Sequence, residues 1–147
     1  MSIRFQRGNH VVADLEKALA FYRDVLGFDV TYILPPNPDS YSYPVFDIPR
    51  EAVMHFCVLS TPTQERVMAL TEIKGIDLPP VPHPRRSAIV LEIADPDTVV
   101  AGARALGLQV YDEEVLRTKD GRVGREIGIV DFDDNLVVIY KITGEQP

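Results

Sequence analysis

Apolar residues recur at helical spacing behind Asp14. Leu15, Leu19, Tyr22 and Leu26 follow at steps of four and three, and Ala18, Phe21 and Val25 widen the stripe. Asp14 is placed to cap this helix, with Glu16 and Lys17 in its first turns, and Gly27 is placed to stop it. The preceding run, Ile3 to Val12, reads as extended. Phe28 to Leu34 reads as a strand rich in β-branched and aromatic residues, which Pro35-Pro36-Asn37-Pro38-Asp39-Ser40 breaks. Met54 to Leu59 and Val67 to Ile73 are two further predicted strands, with turn chemistry between them in Ser60-Thr61-Pro62-Thr63. The order is strand, helix, strand, strand, strand.

That order then repeats. Leu78-Pro79-Pro80-Val81-Pro82-His83-Pro84 holds four of the chain's 12 prolines and reads as a semi-rigid linker. Beyond it, Ser87 to Ile93 is a predicted strand, and Asp95 caps a helix with Pro96 at its first position. Val99, Val100, Ala103 and Leu106 supply its apolar face, and Gly107 ends it. Leu108 to Tyr111, Arg125 to Val130 and Leu136 to Ile142 are predicted strands, with a hairpin signal at Asp120-Gly121. The reading is α+β: a first βαβββ module over 1–77, a linker over 78–86 and a second module over 87–147. Neither module buries both faces of its sheet alone, so the two should share an interior.

Composition narrows the partners without naming a chemistry. Of 147 residues, 46% are hydrophobic and 25% charged, an ordinary globular balance. Fifteen Lys and Arg against 22 Asp and Glu give a formal net charge of −7. Such an excess of acid repels phosphate backbones and anionic lipid, so neither nucleic acid nor a membrane surface is an expected partner. The opening Met1 to Arg7 lacks an apolar signal core, and the single Cys57 has no disulfide partner within the chain. Both features suggest a reducing cytoplasm.

The stretch from Asn9 to Phe28, with Asp14-Leu15-Glu16, Phe21-Tyr22 and Leu26-Gly27, resembles the opening module of the glyoxalase, bleomycin-resistance and extradiol-dioxygenase superfamily, the vicinal oxygen chelate proteins. Asp131 to Tyr140 resembles the same family's closing Asp-Pro-Asp-Gly-Asn turn and last strand, with Phe132 in place of Pro and Asp134 in place of Gly. The resemblance implies paired βαβββ modules forming an open, cup-shaped sheet around a cleft, commonly in a homodimer that covers the strand edges. It also implies a divalent metal held by residues on the first and last strands of each module. The implied positions carry Arg7, Glu72 (with the register open by one residue), Ala88 and Val138. Guanidinium repels a cation and two of the others lack donors, so the expectation is no metal and no cofactor.

Several residues remain as candidates. Strand alternation puts His10 on the face of Val12, as a hydrogen-bonded packing residue, and puts Arg7, Asn9 and Val11 on the opposite, cleft-facing side. His55 either lines the cleft or is a satisfied core histidine, and His83 is expected to be solvated. Arg7 either pairs with Glu72 across the cleft floor or binds an anionic oxygen of a ligand. Tyr41 to Phe46 reads as an aromatic flap, which makes Tyr43 and Phe46 candidate ligand contacts beside Asn9, and Tyr140 offers a hydroxyl from the last strand. Arg125 and Glu126 read as surface charges. Cys57 reads as a buried, inert thiol. Asp131-x-Asp133-x-Asn135 begins like a calcium loop, but Leu136 and Ile142 stand where that loop needs Gly and Glu.

The functional expectation is a metal-independent superfamily member that binds a small, partly apolar organic molecule in the cleft between modules. The alternative is a metal-dependent lyase, epimerase or dioxygenase using non-standard ligands such as His55 and Glu72. A third reading is metal-free acid–base catalysis, with Glu72 or His55 as base and Arg7 stabilising negative charge.

Overall fold

A computed structural model describes residues 1–145, so the last two positions of the expected second module lie outside the described residues. The chain divides into two compact units, Met1–Pro80 and Val81–Pro147. The first contains β1 (Gly8–Val12), α1 (Leu15–Tyr22), β2 (Asp29–Leu34), α2 (Ser42–Val45), β3 (Val53–Ser60) and β4 (Met68–Lys74). The second contains β5 (Ala88–Glu92), α3 (Pro96–Ala105), β6 (Glu114–Arg117), β7 (Arg122–Val130) and β8 (Leu136–Glu145). Their sheets run β1-β4-β3-β2 and β5-β8-β7-β6. Only the β1–β4 and β5–β8 pairs are parallel, because the helix crossover returns each first strand beside the last of its unit. These are the paired βαβββ modules of the α+β reading.

Both helices start as the capping pattern requires. Lys17 N donates to Asp14 Oδ1 at 3.1 Å, and Thr98 N donates to Asp95 Oδ1 at 3.2 Å. Helix α1 buries Leu15, Ala18, Leu19, Phe21 and Tyr22 against one face of its sheet. There they join Val12, Cys57, Leu59, Met68 and Leu70 in a largely apolar layer. In the second unit, Val99 and Ala103 of α3 are buried with the sheet residues Ile127, Ile129, Val137 and Ile139.

The boundaries depart from the sequence pattern where pairing partners run out. Strand β1 starts at Gly8, opposite Met68, so Ile3 and Phe5 have no strand beside them and stay exposed. Helix α1 ends at Tyr22 rather than near Gly27. Asp24 N and Leu26 N reach back five residues to Leu19 O and Phe21 O, and Gly27 takes φ +94°. Leu108 to Tyr111 contributes only a bridge, Val110 to Ile129. The edge strand of that sheet is instead the exposed Glu114–Arg117, whose short polar pattern carries little strand signal.

The turn at Asp131 is built on its own carboxylate, which accepts from Asp133 N and Asn135 N at 2.8 Å each. Asp134, in the place of the family's Gly, takes the left-handed φ of +66° itself, a conformation Asp tolerates better than most residues. Its side chain ties down the linker. Asp134 pairs with Arg85, and His83 Nε2 lies 2.9 Å from Asp134 Oδ2. His83 is exposed, as expected of a solvated linker residue, and pairs with Asp134 from that position.

Candidate functional site

Helix α1 covers one face of the first sheet and leaves the other open. Register assigns each side chain to a face: His10, Cys57 and Leu70 form one row, and Val12, His55 and Glu72 form another, all on the helix side. Val11, Phe56 and Thr71 share a row on the open side, and Asn9, Val58 and Ala69 share the next.

On the helix side, His10 Nδ1 meets Tyr22 Oη at 2.7 Å, as expected of a packing histidine. Glu72 Oε2 accepts the Leu15 backbone N–H at 2.6 Å and so satisfies an orphan donor at the start of α1. Its other oxygen lies 3.0 Å from His55 Nδ1, at an angle outside the range of a hydrogen bond. His55 and Glu72 are thus brought together, but the sheet separates them from Arg7. The Arg7–Glu72 pair is not made, and a base at Glu72 or His55 assisted by Arg7 is not assembled. Cys57, on the same side, is buried, and desolvation pushes its thiol up to about 11, which leaves it without nucleophilic character near neutrality.

The open side carries a cavity of about 250 Å³ lined by Leu34, Pro35, Asn37, Ser40, Ser42, Met54, Phe56 and Thr71. Its floor is β3 and β4, and its wall is the segment linking β2 to β3. That segment is held by α2 and a small core of Tyr43, Ile48, Ala52, Met54 and Ile73. Tyr43 Oη donates to Ala52 O at 2.5 Å, and the Arg50 guanidinium stacks 5.0 Å from the Tyr43 ring centroid. Tyr43 is therefore the buried anchor of the flap and not a contact on the cavity wall. Phe46 projects outward, 42% exposed. Sequence reasoning missed Ser42 and Thr71, which line the cavity beside them.

Two expected contacts do stand on this face. Thr71 Oγ1 donates to Asn9 Oδ1 at 2.9 Å. Arg7 precedes β1 and Phe56 lies on β3, two strands away, so the guanidinium reaches across β4 to stand 5.8 Å from the Phe56 ring centroid. Tyr140 belongs to the second sheet, where it shares a row with Glu92 and Glu126. The neighbouring Glu92 carboxylate holds its phenol above the ordinary range. Arg125 is no isolated surface charge, since it bridges Asp97 and Glu113 at 2.7 Å each.

The register also places the positions at which the family resemblance implies metal ligands. Thr71, and not Glu72, shares the open face with Arg7. In the second unit Ala88 and Val138 share one face and neither carries a donor atom in its side chain. In neither unit do these side chains fit a divalent ion: the first offers a guanidinium and a hydroxyl already engaged with Asn9, the second two hydrocarbons. Among the described residues, no group of three or more His, Cys, Asp or Glu converges to hold one.

Comparison with known proteins agrees with this architecture. No curated protein sequence matches the chain. A glyoxalase family protein from Bacillus cereus matches its fold with a TM-score of 0.73 at 16% identity, covering 98% of this chain and 97% of the other. A glyoxylase/bleomycin resistance protein/dioxygenase domain from Frankia sp. matches at 0.65 and 12% identity, over 97% and 94%. The fosfomycin resistance protein FosX of Listeria monocytogenes, complexed with Mn(II) and sulfate, matches at 0.61 and 17% identity, over 97% and 95%. No helix of the described residues is long and apolar enough to cross a membrane. The profile of one superfamily matches residues 7–139, and the chain belongs to it: the glyoxalase/bleomycin resistance protein/dioxygenase superfamily.

Proposed function

We propose that this protein binds a small, partly apolar organic molecule on the open face of its first sheet without the aid of a metal ion. The observation that carries the reading is the cavity between that sheet and the β2–β3 segment. Leu34, Pro35, Met54 and Phe56 give it an apolar body, and Asn37, Ser40, Ser42 and Thr71 give it a few directed polar groups. The rival reading is a metal-dependent lyase, epimerase or dioxygenase, for which the Mn(II) complex of FosX offers a structural parallel. It would rest on non-standard ligands such as His55 and Glu72, which stand 3.0 Å apart, and among the described residues no third His, Cys, Asp or Glu joins them.

The test is elemental analysis of protein purified without chelator, together with native mass spectrometry for a retained small molecule. The proposal expects no stoichiometric transition metal after dialysis, and ligand binding that persists in excess EDTA. A metal that survives dialysis and is lost in Glu72→Ala would favour the rival. The reading includes a homodimer, supported by the exposed Tyr32, Ile33 and Leu34 on the edge strand β2. A strict monomer by light scattering at micromolar concentration would remove that part.

A further inference from the structure

Several polar groups around the cavity keep hydrogens to donate. Asn9 Oδ1 accepts from Thr71 Oγ1. Asn37 Oδ1 accepts from Asp39 N at 3.0 Å, and Ser40 Oγ accepts from Ser42 N at 3.2 Å. These bonds use one lone pair of each oxygen and hold the groups in place, with the Nδ2 hydrogens of both asparagines and the hydroxyl hydrogen of Ser40 left to donate. No carboxylate lines the cavity.

Over Phe56, one of its walls, stands Arg7, half-buried and without an acidic partner among the described residues. The other cation nearby, Arg50, is turned to different contacts, since its Nη1 donates to Pro38 O at 2.9 Å and its plane covers Tyr43. The Arg7 cation beside these donors matches a ligand group that accepts hydrogen bonds and carries negative charge. We infer that the cavity selects small monocarboxylic acids, with the carboxylate taken by Arg7 and the neighbouring amide and hydroxyl donors and the apolar body against Phe56, Met54 and Leu34. The apolar body of the cavity suits the hydrocarbon part of such an acid, and an amine would meet Arg7 with like charge. The overall charge of −7 points toward cationic ligands, but it is spread over the whole surface. Groups at contact distance outweigh it, because exposed charges beyond a Debye length of roughly 8–10 Å are screened.

The inference rests on the proposed function, and one experiment separates the two. A fragment set of isosteric aryl and alkyl carboxylic acids, their primary amides and the matching amines is titrated into the full chain in metal-free buffer. Amide and side-chain NMR shifts of Arg7, Phe56 and Thr71 report occupancy. Acids are expected to bind at least about tenfold more tightly than their amides, with amines weakest. Arg7→Gln should bring the acids down to the amides' affinity, and Arg7→Lys should restore part of the difference, with the melting temperature of each variant showing that it is folded. Equal binding of acids and amides, or acid preference that survives Arg7→Gln, overturns the carboxylate assignment and leaves the proposed function standing. If no fragment of any charge moves these resonances, the proposed function falls and the inference with it.

Discussion

The two units share one strand order and one helix position, yet their connections at the same point of the topology differ. In the first, the chain between β2 and β3 runs from Pro35 to Ala52 and folds back with α2 over the open face. In the second, β6 and β7 are joined by the tight turn at Thr118, Asp120 and Gly121, closed by Thr118 N donating to Arg122 O at 2.9 Å. On the open face there Tyr111 lies over Gly128, Val90 is 62% exposed, and Glu92, Tyr140, Glu126 and Glu114 form one row across the sheet. The sheet is a platform common to both. The pocket is made by the connection, as loops on a rigid scaffold generally carry function.

The heaviest blow to the comparison falls on what the units have in common. Phe21 on α1 and Ile139 on β8 are each fully buried between helix and sheet in their own unit. Phe21→Ala should cost about 3–5 kcal/mol and Ile139→Ala about 2–5 kcal/mol in chemical denaturation. If each unit unfolds by itself, each substitution should move only its own transition. Filling the pocket comes next. Ser42→Trp places an indole in a cavity of about 250 Å³ and should weaken small-molecule binding by about tenfold or more while the melting temperature moves little. Tyr43→Phe removes the flap anchor to Ala52 O, a bond the second unit lacks, and should cost about 1 kcal/mol.

The smallest effect sharpens the contrast from the other unit. Arg85, and after it His83, holds the Asp134 carboxyl below its ordinary value. A carboxyl depressed by folding stabilises the fold above its unfolded value, and that contribution fades as pH falls through the lowered one. Melting curves should therefore show a shallower loss of stability below about pH 4 in Asp134→Asn than in the native chain, with the two curves parallel above that.

The helices and the module repeat were legible because Asp14, Asp95 and the apolar stripes behind them encode local structure. Register was not. Strand β4 is buried on both faces from Met68 to Ile73, so it lacks the alternation that would have shown Thr71, and not Glu72, on the open side. Glu72 in fact serves the start of α1, a contact made across 57 positions of sequence that no short pattern displays. The reach of Arg7 to Phe56 is equally non-local. Helix α2 was missed because Ser42-Tyr43-Pro44-Val45 is too short for any period to emerge, and its place is set by Tyr43 packing inward.

The burial of Cys57 has a practical consequence. It is the sole cysteine of the chain, and burial both shields its sulfur and keeps it protonated. Maleimide and disulfide reagents should pass the native protein by, so a cysteine introduced at Ser40, on the cavity wall, would take a fluorophore alone. The fold thus supplies a silent background for watching the pocket fill.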